Sequence, residues 1–193
     1  MTLLKNKDRL EISFTGSGGQ GMILAGKILA EAVAIYDGGQ AVMTQSYGPE
    51  ARGGAARAEV IISHKPIHYP KMMDLNILMA LTQEALDKYG KTLQPGGLLI
   101  IDETLVNKVP ANIQHVFKAP FTVLAKGTFD VAIVTNIIAL GALVAITNVV
   151  SREALIRAVL ARVPEKALVL NRVAVDRGYK AVKDSGFRWE RPA

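Results

Sequence analysis

The segment Gly16–Gly21, GSGGQG, has the spacing Gly-x-Gly-x-x-Gly, after a predicted strand at Leu10–Thr15 and at the start of a predicted helix at Gly21–Tyr36. Backbone N–H groups and the positive end of the helix dipole make such a turn a natural place for phosphate or another anion. Glycine also lets a ligand or a neighbouring backbone come close. Because many sheet-to-helix turns need glycine for packing only, the pattern leaves both roles open.

A dinucleotide site needs one more residue, an acidic side chain at the end of the second strand that binds the ribose. The predicted second strand, Ala41–Gln45, has no acidic residue at its end. Asp37 comes before this strand, Glu50 comes only after a Tyr-Gly-Pro turn, and no arginine cluster marks a 2′-phosphate. The sequence therefore disfavours an enzyme that uses NAD or NADP.

A second polar, glycine-rich segment, SYGPEARGG, spans Ser46–Gly54. In a doubly wound sheet it would lie at the carboxyl ends of the strands, beside the first loop, where ligands and partners bind. Arg52, followed by two glycines, offers a planar cation surrounded by bare backbone, which suits a carboxylate, a phosphate or a partner's backbone. The alternative is a glycine turn with Arg52 and Glu50 solvated.

The other polar residues do not form a complete catalytic set. His64, His68 and His115 show no metal-ligand spacing and no evident nucleophile partner, so surface or core histidines are expected. Asp102 and Glu103 end a predicted buried strand at the ligand edge. A general acid or base is conceivable there, but a turn or helix-capping role is more common. We predict no catalytic residue and no metal ligand on this chain.

Composition narrows the possible partners. The chain has 193 residues, no cysteine and a formal net charge of +6. Absence of cysteine excludes disulfides, thiolate zinc sites and iron–sulfur clusters held by this chain's own thiolates, and it fits the cytoplasm. The Lys and Arg residues are scattered, with no polybasic run and no aromatic-interleaved pattern, so nucleic acid is not expected. The net positive charge is then explained either by a solvated basic surface or by binding to an acidic partner protein.

The segment Val131–Val150 has 20 residues without a charge, which is about the length needed to cross a bilayer core. Polar residues interrupt it, among them Asn136, which would need a partner inside lipid, and no aromatic belt frames it. A helix buried in the domain or at a subunit contact explains the same pattern. We therefore expect no membrane span, with a single pass as the minor alternative.

Predicted strands alternate with predicted helices. Strands are expected at Leu10–Thr15, Ala41–Gln45, Arg57–Ser63, Leu75–Leu81, Leu98–Asp102 and Ile113–Lys118, with a turn at Pro95–Gly97. Helices are expected at Gly21–Tyr36, at Thr82–Thr92, within Val131–Val150, at Ser151–Val163 and at Lys166–Lys183. Thr82 and Ser151 are the expected N-caps, and the first helix has Leu24, Ile28, Ala32 and Ile35 on one face. This order predicts an α/β fold with a Rossmann-like, doubly wound, mostly parallel sheet and helices on both faces. One domain is expected over residues 1–193, with residues 184–193 as a tail.

The motifs taken together resemble a known family. GSGGQGMILAGKILAEA, SYGPEARGGAARAEVIIS, LTQEAL, PGGLLIID, TNIIALGAL and LNRVAVDRGYKAV occur in this order. Over most of its length the chain is similar to the gamma subunits of 2-oxoacid:ferredoxin oxidoreductases. Its Arg-Gly-Gly form of the second loop looks closer to the 2-oxoglutarate and branched-chain 2-oxoacid types than to the pyruvate type. The segments His64–Met73 and KDSGFRWERPA depart from the pattern. In the latter, Trp189 could anchor a partner or belong to a loose tail.

The resemblance implies a complex that oxidatively decarboxylates a 2-oxoacid to an acyl-CoA and reduces ferredoxin. It implies alpha, beta and ferredoxin-like delta subunits as partners, which would hold thiamine diphosphate, Mg²⁺ and [4Fe–4S] clusters, so that this chain alone holds no cofactor. The chain would help to form the cleft that faces coenzyme A. By motif match, the residues on that face are Gly16, Gly18, Gly19, Gln20 and Gly21 in the first loop and Tyr47, Glu50, Arg52, Gly53 and Gly54 in the second.

Two alternatives remain open. A stand-alone nucleotide- or phosphate-binding Rossmann protein would explain the first loop, although the acidic residue after the second strand is missing. The small subunit of an indolepyruvate:ferredoxin oxidoreductase would be a similar chain that pairs with one large partner. In either case the isolated chain could form homo-oligomers through surfaces that serve partners.

Overall fold

One six-stranded sheet organises the chain. The structure, a computed structural model, describes residues 9–46, 55–129 and 134–192. The strands are β1 (Arg9–Ser17), β2 (Gln40–Ser46), β3 (Ala55–Ser63), β4 (Leu75–Ala80), β5 (Leu93–Asp102) and β6 (His115–Ala119). They lie in the order β2-β3-β1-β4-β5-β6.

Five of the helices in the described part lie where the sequence predicts them, and the one at Phe121–Phe129 was not predicted. The helices are α1 (Met22–Glu31), α2 (Gln83–Tyr89), α3 (Phe121–Phe129), α4 (Thr135–Thr147), α5 (Arg152–Leu160) and α6 (Leu168–Ser185). A π-helical turn, Ala32–Tyr36, extends α1, and a 3₁₀ turn, Gly90–Thr92, extends α2. The predicted N-caps are confirmed, because the hydroxyl of Thr82 accepts the N–H of Ala85 and that of Ser151 accepts the N–H of Ala154.

The sheet is mostly parallel, as predicted, with one antiparallel strand next to its edge strand. Strands β1, β4, β5 and β6 pair in parallel. Strand β3 runs antiparallel to both β1 and β2. Only residues 47–54 separate β2 from β3, too few for the crossover that a parallel pair requires. The sequence predicted these two strands without a helix between them, and the short connection explains why β3 is the antiparallel strand of a mostly parallel sheet.

Helices cover both faces of the sheet. On one face, Ile12, Ile77 and Ile100 of the sheet share a core with Ile28 of α1 and Leu140 of α4, all buried. On the other face a smaller core forms beneath α2. Its members are Leu75, Leu78, Ala80, Ala85, Leu86, Leu99, Ile101 and Val106. Near-continuous apolar strands such as β4 are expected when both faces are buried.

The uncharged segment forms a helix that is buried on nearly all sides. Every residue of α4 except Ala145 is buried, which explains its lack of an amphipathic pattern. The helix ends at Asn148, whose left-handed φ of 47° closes it. Among the described residues, no helix is both long and apolar enough to cross a membrane. Residues 131–133 of the segment lie outside the described part.

Two local predictions were wrong. The segment Pro95–Gly97 lies inside β5 and not in a turn between elements. The pairing partners of β4 jump from Leu93 to Leu98, so this stretch bulges out of the ladder. Ile35, predicted on the buried face of the first helix, is 66% exposed, because the wider π-helical turn shifts the phase of the side chains.

The C-terminal segment packs against the sheet. The side chain of Trp189 is buried, and its indole Nε1 donates a hydrogen bond to the carbonyl of Gly96, 3.2 Å away. Arg191 donates to the carbonyl of Arg9 at 2.5 Å and to Oδ1 of Asn76 at 3.2 Å. This placement differs from both expectations for Trp189, a loose tail and an exposed anchor, because the bulge in β5 leaves a carbonyl and a surface for the indole to cover.

Candidate glycine-loop site

The first glycine loop lies at the carboxyl edge of the sheet. Gly16 and Ser17 are the last residues of β1, and α1 begins directly after Gly21. Gly19 and Gly21 adopt left-handed φ values of 92° and 71°, a region that side chains other than glycine rarely enter. The predicted strand–loop–helix arrangement is therefore present, and the first N–H groups of α1, which have no carbonyl in their own helix, face this turn.

The side chain of Gln20 closes the loop on itself. Its Oε1 accepts the backbone N–H of Ser17 at 2.8 Å, while the backbone N–H of Gln20 donates to the carbonyl of Ser17 at 3.2 Å. A Cβ on Gly16 would lie 2.4 Å from the same Oε1. Gln20 thus holds an oxygen where an anion would bind the Ser17 N–H, and the absence of a side chain at Gly16 makes room for it. The sequence suggested free N–H groups here and missed this contact.

Asn136 contacts the loop from the first turn of α4. It is 2% exposed, and its Nδ2 donates to the carbonyl of Gly21 at 3.0 Å. Its Oδ1 accepts the N–H of Ile137 at 2.9 Å. The sequence marked Asn136 only as a polar interruption of an apolar segment. A polar residue within a buried apolar helix could have indicated this contact, since a buried carboxamide needs a hydrogen-bond partner.

The second glycine-rich loop connects strand ends that lie beside the first. Ser17 pairs with Ala55, so β3 begins next to the end of β1. Ser46, the last residue of β2, pairs with Arg57. The segment between these ends therefore leaves and re-enters the sheet at the expected edge. Its predicted site residues, Tyr47, Glu50, Arg52, Gly53 and Gly54, lie outside the described residues, and their roles stay predictions.

Asp102 caps a helix. It is fully buried at the end of β5, and its carboxylate accepts the N–H of Thr122 at 2.8 Å, the hydroxyl of Thr122 at 2.5 Å and the N–H of Thr104 at 3.0 Å. These bonds fix the turn after β5 and the first turn of α3, which supports the capping role over acid–base chemistry. Glu103 is exposed beside it.

Two of the three histidines lie in one exposed segment, and the third lies at the far edge of the sheet. His64 and His68 are exposed in the segment after β3, and His115 is half-buried at the start of β6, at the other end of the sheet. Within residues 9–46, 55–129 and 134–192, no group of three or more His, Asp or Glu side chains could hold a metal ion.

A cleft of about 570 Å³ lies along the β2–β3 pair and the chain around Lys71. Two of its charged side chains pair with each other, since Arg57 forms a salt bridge with Glu59, and the hydroxyl of Thr44 also donates to Glu59 at 3.2 Å. The guanidinium of Arg57 also lies 4.8 Å from the ring centre of Tyr89. These contacts hold the hairpin against α2 and favour a structural role for the cleft.

Known proteins resemble this chain over almost its whole length. The chain is 47% identical over 180 residues to the 2-oxoglutarate synthase subunit KorC of Methanocaldococcus jannaschii, covering 92% of this chain and 96% of the relative. It is 43% identical over 183 residues to KorC of Methanothermobacter marburgensis, covering 91% and 98%.

Solved structures agree with the fold. The gamma subunit of a keto/oxoacid ferredoxin oxidoreductase from Geobacter sulfurreducens has a TM-score of 0.84 and 50% identity, covering 91% of this chain and 97% of that chain. The 2-oxoglutarate:ferredoxin oxidoreductase of Magnetococcus marinus, solved with 2-oxoglutarate, coenzyme A and succinyl-CoA bound, has a TM-score of 0.80 at 24% identity. It shares the fold, and this chain corresponds to 34% of that chain. Residues 11–181 match the model of the pyruvate ferredoxin/flavodoxin oxidoreductase family. The resemblance stated from the motifs is thereby confirmed, and the chain belongs to the pyruvate ferredoxin/flavodoxin oxidoreductase family.

Proposed function

We propose that this chain is the gamma subunit of a coenzyme-A-dependent 2-oxoglutarate:ferredoxin oxidoreductase, and that its glycine-loop edge contributes to the cleft that faces coenzyme A. The observation that carries the proposal is the 47% identity to a 2-oxoglutarate synthase subunit over 96% of that subunit's length. The complex would convert 2-oxoglutarate to succinyl-CoA and CO₂, and pass two electrons to ferredoxin.

The chain's own chemistry supports a binding and assembly role. It has no cysteine, so thiolate-held clusters must belong to companion subunits. Thiamine diphosphate with Mg²⁺ would supply the decarboxylation chemistry, and in this proposal the companion subunits hold it. The companions are alpha, beta and ferredoxin-like delta subunits.

The glycine loop fits the phosphate-bearing part of coenzyme A. The Ser17 N–H already donates a hydrogen bond to an oxygen, the Oε1 of Gln20, so a phosphate oxygen could take the same position once that side chain moves. Gly18 and Gly19 are exposed, which leaves backbone accessible for close approach. Residues of the second loop, with Arg52 as the cation, would complete this surface from the adjacent strand ends.

The test is an anaerobic pull-down of the tagged chain from its native cells, with mass spectrometry of the eluate. The eluate is assayed for CoA-dependent viologen reduction with 2-oxoglutarate, pyruvate, 2-oxoisovalerate and indolepyruvate. We expect thiamine-binding and cluster-bearing partners and activity with 2-oxoglutarate. Activity with another of these 2-oxoacids alone would contradict 2-oxoglutarate as the substrate. Recovery of a monomer or homodimer without activity would overturn the subunit role, and nucleotides would then be screened against the glycine loop.

A further inference from the structure

The contact between Asn136 and Gly21 joins parts of the chain that are 115 residues apart. Nearly all of α4 is apolar and buried, so a leucine of similar size would pack at its first turn without the cost of desolvating a carboxamide. The carbonyl of Gly21 explains why a polar side chain stands there. That carbonyl also accepts the N–H of Ala25 at 3.0 Å, so the first helical bond of α1 does not depend on Asn136.

The hydrogen bond from Asn136 to the carbonyl of Gly21 also orients the loop. The peptide between Gly21 and Met22 is planar and trans, so its N–H points opposite to its C=O. By fixing the carbonyl oxygen of Gly21, Asn136 also fixes the direction of the Met22 N–H, the first that α1 presents toward an anion. The left-handed backbone of Gly21, with φ of 71°, has no side chain that could restrict it.

The contact also requires glycine. A Cβ on Gly21 would lie 2.4 Å from Nδ2 of Asn136, so the carboxamide occupies the space that a side chain would fill. Asn136 therefore contacts this turn in two ways: it donates a hydrogen bond to the Gly21 carbonyl, and it fills the space beside the Gly21 Cα.

We infer that Asn136 is the positioning residue of the glycine loop, whose carboxamide fixes the Gly21 peptide and the N–H groups that meet an anionic ligand. The link to coenzyme A rests on the proposed function. The positioning itself does not.

The informative variant is Asn136→Asp. It keeps the size of the side chain and one oxygen that can accept the Ile137 N–H, and a negative charge is favourable at the start of a helix. It replaces the donor to Gly21 with an acceptor, so the two oxygens repel. Asn171→Asp is the matched control, because Asn171 of α6 is 5% exposed and its Nδ2 donates at 2.9 Å to the carbonyl of Ala167, just before that helix.

The first measurement is hydrogen exchange on the full chain. We expect Asn136→Asp to speed exchange in the peptide covering residues 16–24 by about fivefold to tenfold, the effect of losing one net hydrogen bond. Asn171→Asp should leave that peptide unchanged. Unchanged exchange at the loop in Asn136→Asp, or equal acceleration in both variants, would overturn the inference whatever the function of the complex.

The second measurement is kinetic, on the assembled complex. Asn136→Asp should raise the KM for coenzyme A by about tenfold while kcat and the KM for 2-oxoglutarate stay within about twofold. Suppose that the wild-type complex has CoA-dependent activity and that Asn136→Asp speeds exchange in the loop. An unchanged KM for coenzyme A in this variant would then contradict the inference that the loop binds coenzyme A. A wild-type complex without CoA-dependent activity would instead contradict the proposed function, while the exchange result still decides the positioning role.

Discussion

Gly178 of α6 lies directly against the carbonyl oxygen of Ile138 in α4, and a Cβ on this glycine would be 2.1 Å from that oxygen. Gly141 of α4 faces the carbonyl of Val175 in the same way, at 2.5 Å. The two helices thus cross backbone to backbone. This crossing buries α4 and so holds Asn136 in place at its first turn.

The crossing predicts the effect of adding one methyl group. Gly178→Ala should lower the free energy of unfolding by about 1–3 kcal/mol, because the atom that must move is backbone. Gly127→Ala is the control, since a Cβ there meets nothing within 4 Å and alanine favours a helix by up to about 1 kcal/mol. Urea unfolding followed by circular dichroism measures both. Equal effects of the two variants would contradict this account of the crossing.

The hydrogen bond between the Ser17 N–H and Oε1 of Gln20 predicts how a negative charge in the loop would affect ligand binding. Gln20→Glu should place a carboxylate at the Ser17 N–H, where it competes with an anionic ligand. We expect the KM for coenzyme A to rise about tenfold, a loss of about 1.4 kcal/mol, and to rise less at high salt. The same substitution at Gln40, exposed at the opposite edge of the sheet, is the control. A KM that is unchanged in both variants would show that the ligand's charge does not meet this loop.

The C-terminal packing predicts a stabilising role for Trp189. Trp189→Ala should lower the free energy of unfolding by about 3–5 kcal/mol, as expected for loss of a buried aromatic side chain. Glu190→Ala, at an exposed neighbour, should change it little. Because Trp189 is the only tryptophan, its fluorescence in the unmodified chain reports whether the segment is docked. Solvent-exposed emission from the folded chain would contradict the packing.

The raised pKa of Tyr179 predicts that the folded chain loses stability at alkaline pH. Burial raises its pKa from 10.0 to about 12, with Arg152 lowering it and Asp176 raising it by smaller amounts. Between these values the folded chain retains a proton that the unfolded chain has lost, so stability falls as pH rises from about 10. Tyr179→Phe should lack this part of the dependence. Ultraviolet titration of the tyrosinates and urea unfolding at about pH 9 and about pH 11 test it. Identical pH dependence in both proteins would be the contrary result.

Much of the fold follows from local patterns in the sequence. Apolar strands such as Leu75–Ala80 and caps such as Thr82 and Ser151 are encoded within a few residues, and the structure has them where the spacing predicts. The glycine loop is local in the same sense, because left-handed φ values at Gly19 and Gly21 are a property of glycine itself.

Long-range contacts could not be predicted in this way. The pairing of β3 with β1, the partner of Asn136 and the docking of Trp189 each join residues that lie far apart in the chain. Their geometry depends on how whole elements pack, and no short pattern records it. The sequence by itself therefore determined the family, the strand–loop–helix turn and the absence of thiolate chemistry. Only the tertiary structure decided which side chains hold that turn, because a buried carboxamide finds its partner only after the helices have packed.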